Sequence, residues 1–133
     1  MKKTSESSAN RVLLVVGDPV SRTFIQRTLE SVLLQVETAA RFENASGKIR
    51  SSSWDLLILD PTLPKVDGLE LLRELQTLAP GLLRKTILIL EPRSPLAERA
   101  SEFSICQTID RPVTRKQLIQ AVSDCLRQPQ EST

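Results

Sequence analysis

Trp54-Asp55-Leu56-Leu57-Ile58-Leu59-Asp60-Pro61 is the stretch on which the fold turns. Leu56, Leu57, Ile58 and Leu59 are apolar in succession rather than on alternate positions, the pattern of a strand covered on both faces of its sheet. Pro61 has no N–H to give to a central ladder, so the strand must stop and Asp60 is left at its carboxyl end. Residues 54–59 therefore predict a buried strand closed by a carboxylate.

Outward from it, the same signature recurs. Val12-Leu13-Leu14-Val15-Val16 is a continuous apolar run stopped by Gly17, and residues 86–90 form another, followed directly by Glu91. Residues 34–39 alternate weakly and read as a second strand, while the more polar residues 104–109 read as a fifth strand at a sheet edge. Helical patterns separate the strands. Asp18-Pro19 supplies a capping side chain and a first-turn proline, and Phe24, Ile25, Thr28, Leu29 and Val32 follow at helical spacing. Residues 41–52 keep Phe42, Ala45 and Ile49 in register, weakened by Gly47, which costs about 1 kcal/mol relative to alanine. Asp67 and Glu70 form a capping pair ahead of Leu71, Leu72, Leu75 and Leu78, and Ala79-Pro80-Gly81 breaks that helix. Ser94-Pro95 starts a short fourth helix to about Phe103, and Thr114 with Gln117 boxes the start of a fifth helix carrying Leu118, Ala121, Val122, Cys125 and Leu126.

Strands alternating with helices at this spacing predict an α/β fold: five βα units, doubly wound, with a five-stranded parallel sheet. In such sheets the functional crevice lies beyond the carboxyl ends of the strands, where strand order reverses. Gly17, Asp18, Asp60, Glu91 and Arg111 all fall at those ends.

Composition narrows the chemistry. The 133 residues, 40% of them apolar, suffice for one core, placed at residues 11–127, with a disordered start over residues 1–10 and a polar tail or linker over residues 128–133. Eighteen basic against sixteen acidic residues leave a formal charge of +2, which argues against a nucleic-acid surface. The absence of histidine removes the commonest metal ligand and general base. Cys106 and Cys125 form no CxxC motif and read as small buried hydrophobes, a redox role being the lesser alternative in a reducing compartment. Glycines are scattered at 17, 47, 68 and 81, so there is no phosphate-cradling loop. No apolar run is long enough to span a bilayer, and the expectation is a cytoplasmic, non-enzymatic protein with no membrane or nucleic-acid partner.

The five βα units, the Asp60-x-x-x-Pro64-x-x-Asp67-Gly68 spacing, Asp18-Pro19-Val20-Ser21-Arg22 and the Arg111-Pro112-Val113 that follows the fifth strand resemble the receiver domains of two-component response regulators, which have the flavodoxin-like, CheY-like fold. The resemblance implies that Asp60 is the phosphoacceptor for a histidine kinase. It also implies a Mg²⁺ ion, because a carboxylate attacking a phosphoryl group brings anions together and needs their charge neutralised. An output face would lie on the fourth helix, the fifth strand and the fifth helix, over residues 94–126, open to a protein partner or a second copy.

The sequence also departs from the family's pattern. Val16 and Gly17 stand where the family has its two acids, and neither side chain can ligate a metal. A one-residue slip would pair Gly17-Asp18 with them instead and rescue one ligand, at the expense of the helix that follows; a weak Mg²⁺ site would then rest on Asp60 with Asp18, or with Asp67 through water. Glu91 replaces the family's Ser/Thr after the fourth strand, Thr108 the aromatic residue of the fifth strand, and Arg111 the lysine before proline. A carboxylate at 91 repels a phosphoryl group, and the planar fork of Arg111 suits two carboxylates. The expectation is that Arg111 bridges Asp60 and Glu91 in place of a metal, with Thr62 in the same pocket. The plainer alternative has Asp60 capping a turn, with Glu91 and Arg111 in solvent. Two functions follow: a degenerate receiver that regulates by contact and is weakly phosphorylated or not at all, or a competent phosphoacceptor with altered metal chemistry.

Overall fold

In the computed structural model, which describes residues 10–63 and 65–127, five strands lie in one parallel sheet in the order β2-β1-β3-β4-β5. The expectations placed on residues 1–9, on Pro64 and on residues 128–133 lie outside the described residues. The strands are β1 (Arg11–Val15), β2 (Gln35–Ala39), β3 (Leu56–Leu59), β4 (Thr86–Leu90) and β5 (Gln107–Asp110). The helices are α1 (Pro19–Glu30), α2 (Phe42–Ser51), α3 (Gly68–Leu78), α4 (Pro80–Leu83), α5 (Pro95–Arg99) and α6 (Arg115–Leu126), with a 3₁₀ turn at Ala100–Glu102 prolonging α5.

Register explains why β1, β3 and β4 are apolar throughout. Leu14 pairs with Ile58 and Leu59 with Leu88, so alternate residues of the three central strands face opposite layers. One layer packs Val12, Leu14, Ile58 and Ile89 on Ile25 and Leu29 of α1 and Leu118, Ala121 and Val122 of α6. The other packs Leu13, Val15, Leu57 and Leu88 on Ala45 of α2 and Leu71, Leu72 and Leu75 of α3. The strand order reverses between β1 and β3, which puts the crevice over their carboxyl ends.

The structure corrects several local expectations. Trp54 stays out of β3, because its indole N–H donates to the Lys48 carbonyl at 3.0 Å while its ring lies 4.3 Å under the Arg11 guanidinium. Pro80 does break α3, yet it also suits a first helical turn and opens the short α4. Phe24 and Val32 are exposed rather than core-facing, and the apolar face of α1 narrows to Ile25, Thr28 and Leu29. Glu70 pairs with Arg73 at 3.4 Å, and Asp67 caps α3 by accepting from Leu69 N–H at 2.9 Å. Residues 104–106 precede β5 instead of forming its first half. Cys106 and Cys125 are not separate hydrophobes but are joined in a disulfide, since the chain entering β5 and the last turn of α6 come within 6.1 Å Cα to Cα.

Beyond α1 the backbone closes a Schellman turn: Leu34 N–H reaches Leu29 C=O at 3.3 Å, and Leu33 N–H reaches Glu30 C=O at 3.0 Å. Leu33 holds the left-handed position of that turn at φ 69° and is 85% exposed, so it bears the steric cost of the conformation without burying its side chain. Leu33→Gly is therefore expected to raise stability by about 0.5–1 kcal/mol, the relief of the left-handed strain being partly offset by glycine's larger backbone entropy. A thermal melt reads this as a midpoint about 3 °C higher. A lower midpoint would show that Leu33 makes a contribution its exposure hides.

Candidate functional site

Asp60 follows β3, and its own N–H donates to the Val15 carbonyl at 2.9 Å, which ties the turn to the end of β1. The side chain is only 5% exposed, so both carboxylate oxygens need partners. Oδ1 accepts from the Thr62 backbone N–H at 3.0 Å and the Thr62 hydroxyl at 2.6 Å. Oδ2 accepts from Nη2 of Arg111 in an ion pair. Nε of the same guanidinium lies 3.1 Å from Oε2 of Glu91, whose side chain is 60% exposed. One cation thus spans two carboxylates, one buried and one at the rim, and the fork geometry of arginine permits both contacts at once.

Backbone pairing delivers the three residues to one place. Arg111 N–H donates to Leu90 C=O at 2.9 Å, so the residue after β5 is held level with Glu91 after β4. Nη1 of Arg111 lies 3.5 Å from the Ser21 hydroxyl, at the long limit of a hydrogen bond. On the side turned to α1, Arg111 therefore makes one long contact with a neutral hydroxyl, and the Asp18 carboxylate there acts on it only through a Coulombic attraction.

Val16 is fully buried in the α1/α6 layer and Gly17 is half-buried at the bend after β1. Their carbonyl oxygens are engaged by Arg22, whose Nη1 lies 2.9 Å from Val16 O and 3.2 Å from Gly17 O. Asp18 is exposed and caps α1, its Oδ2 accepting from Ser21 N–H at 2.9 Å. Hydrogen bonds from Ser21 hold its carboxyl below the ordinary value of 3.8, with Arg111 adding a smaller Coulombic pull. A group shifted downward supports the fold above its ordinary pKa and loses that support as the pH falls through the folded-state value, so the cap is in place at neutral pH.

Thr108 of β5 is exposed and lies in a shallow hollow with Gln117 and Gln120, away from the partners of Asp60. The expected pocket residues Asp60, Thr62, Glu91 and Arg111 come together, while Gly17 and Asp18 sit at its α1 edge and Thr108 does not join them. Among the described residues no three of His, Cys, Asp and Glu cluster as metal ligands. Asp18 is committed to its helix cap, and the Asp60 carboxylate faces a guanidinium where a divalent ion would need open oxygen ligands. This donor set does not fit Mg²⁺.

Two features were not foreseen. Arg22 gave no sign in the sequence of where its side chain would go. Beside Glu91 lies a cleft of about 680 Å³, bounded by Pro61, Leu63 and Leu69 on one side and by Pro95 and Leu96 on the other. Gly68 lets its walls approach, for a Cβ there would meet Leu96 Cδ2 at 3.0 Å and Pro61 Cβ at 3.2 Å.

Comparison with known proteins agrees with this architecture. The family model of the response regulator receiver domain matches residues 12–123. The chain is 34% identical over 91 residues to the response regulator MprA of Mycobacterium avium, covering 68% of this chain and 39% of that protein. It is also 34% identical over 80 residues to a gliding motility regulatory protein of Myxococcus xanthus, covering 60% of this chain and 10% of that protein. The chain thus spans well under half the length of these relatives. Among solved structures, a CheY-like response regulator receiver domain protein from Methanospirillum hungatei superposes with a TM-score of 0.81 at 27% identity, over 90% of this chain and 94% of that one.

Proposed function

The chain belongs to the response regulator receiver domain family of two-component signalling, and on that premise we propose that it is a degenerate receiver, one that signals through protein contact with its acidic pocket held in a single state. The observation that carries this reading is the guanidinium of Arg111 spanning Asp60 and Glu91. Phosphorylation of Asp60 would require its carboxylate to give up Arg111, to attack past the negative charge of Glu91, and to do so without the metal that normally neutralises the incoming phosphoryl oxygens. Each requirement adds to the barrier. The face offered to a partner is α5, β5 and α6, with a histidine kinase or a second copy as further occupants of the surface. No helix among the described residues is long and apolar enough to cross a membrane.

Incubation with acetyl phosphate and Mg²⁺, read by intact-protein mass, tests the proposal. No phosphoprotein is expected under conditions that label an ordinary receiver. Stoichiometric, Mg²⁺-dependent labelling abolished by Asp60→Asn would instead establish a competent phosphoacceptor and sink the locked-pocket reading.

A further inference from the structure

We propose that Cys106 and Cys125 form a thiol-responsive staple, a covalent modification site that sets the order of β5 and of the end of α6 independently of Asp60. The disulfide joins the residue before β5 to the last turn of α6 across nineteen positions of sequence. In a parallel sheet that places it at the amino ends of the strands: Cys106 N–H donates to the carbonyl of Thr86, the first residue of β4, at 2.9 Å, whereas Asp60 lies beyond the carboxyl end of β3. Chemistry at one site can therefore proceed without touching the other.

The bond ties a thinly buried edge strand to a helix that the core already holds. β5 is an edge strand of four residues in which Ile109 alone is buried, and residues 104–106 ahead of it have no regular structure. A hydrogen bond from Gln107 Nε2 to Asp124 Oδ2, long at 3.3 Å, links β5 to the same turn of α6. The rest of α6 does not need the staple, because Leu118, Ala121 and Val122 anchor it in the core. Opening the bond thus loosens a corner and leaves the fold standing.

Access is one-sided. Cys125 is fully buried while Cys106 is only partly so, on the irregular segment, which makes the Cys106 sulfur the one an incoming thiolate reaches. Attack there by a low-molecular-weight thiolate breaks the S–S bond, forms a mixed disulfide at Cys106, and expels Cys125 as a thiolate that takes up a proton. A second thiolate then attacks the reductant's own sulfur in the mixed disulfide. Cys106 leaves and is protonated, the reductant departs as its disulfide, and two electrons and two protons have entered the pair. Lys85 brings a cation to the departing end, its Nζ lying 3.1 Å from the Cys125 carbonyl oxygen.

The test equilibrates the whole chain in glutathione buffers from fully oxidised to a large excess of the reduced form, traps thiols by alkylation, and follows amide hydrogen exchange. The expected result is a closed pair in oxidised glutathione, an open pair in excess reduced glutathione, and exchange at residues 106–107 and 124–126 at least about 10-fold faster once open, with Leu13 and Leu57 unchanged. A pair that stays closed in reduced glutathione is a structural staple only, and the proposal fails. Two free thiols in oxidised glutathione, or opening with no change in exchange, overturn it as well. Alkylation and exchange on the unaltered chain need no variant, and Cys106→Ser, if it folds, is expected to show the fast exchange in every buffer.

Discussion

Replacing Arg111 with alanine is expected to lower stability at neutral pH by about 2–3 kcal/mol, or roughly 10 °C in the melting midpoint, the largest loss of any single change at the acidic pocket. The reason is what the substitution leaves behind. Asp60 is nearly fully buried, and without the guanidinium one of its oxygens keeps its charge with no donor and little water. Removing one partner of a fully buried pair costs about 3–5 kcal/mol, and the lower figure reflects the partial exposure of Arg111 and the two bonds from Thr62 that persist. Glu91 stands differently. Its side chain is mostly exposed, so Glu91→Gln should cost about 0.5 kcal/mol or less. A double-mutant cycle separates the two limbs of the bridge: Asp60→Asn combined with Arg111→Ala should cost at least about 1 kcal/mol less than the sum of the single changes. Simple additivity in urea melts would mean that Asp60 and Arg111 do not depend on one another, and the bridge would lose its standing as the feature that holds the pocket.

Much of this arrangement is legible in the sequence alone, for identifiable reasons. β1, β3 and β4 are buried on both faces, and nothing but continuous apolar runs satisfies that environment, so Val12 to Val16 and Leu56 to Leu59 declare themselves. Four helix starts are equally plain, because Asp18, Asp67, Ser94 and Thr114 each supply a side-chain acceptor to a first turn that lacks one, whereas α2 and α4 begin without a capping side chain. Because strand ends in a parallel sheet converge on one edge, Asp60, Glu91 and Arg111 could be placed as neighbours. What could not be read was anything that depends on where a long side chain goes. Arg22 folds back on two carbonyl oxygens, a choice made by backbone geometry after β1 and not by any motif. Trp54 leaves its strand for a carbonyl on α2. Cys106 and Cys125 looked unrelated because their proximity is created by the return of α6 across the sheet, a distance that spacing alone does not carry.

If the pocket is silent because of its side chains and not because of its frame, then restoring them should restore the chemistry. Gly17→Asp, Glu91→Thr and Arg111→Lys combined are expected to raise Mg²⁺-dependent labelling from acetyl phosphate at least about 10-fold over the unaltered chain, a gain of about 1.4 kcal/mol or more in transition-state stabilisation. Each change addresses one obstacle. An aspartate at 17 would supply a hard oxygen at a position where the family carries an acid, and the φ of Gly17 lies outside the left-handed region, so no backbone strain opposes the change. Threonine at 91 removes the rim anion and supplies a hydroxyl of the kind the family uses at this position. Lysine at 111 exchanges a two-pronged clamp for a single point charge on a flexible stem, which can move from the carboxylate to a phosphoryl oxygen as charge develops there. The order of effects also discriminates. Arg111→Lys alone leaves the Glu91 repulsion and the missing ligand in place and should label little, whereas adding Glu91→Thr and then Gly17→Asp should raise the yield at each step. Mg²⁺ should also raise the melting midpoint of the triple variant and leave that of the unaltered chain where it was, because only the former has two carboxylates free for the metal. A triple variant that folds, shows no Mg²⁺ shift and takes no label would mean that the frame itself, from Val16 through the Arg22-bound turn to Asp60, is set wrongly for phosphoryl transfer.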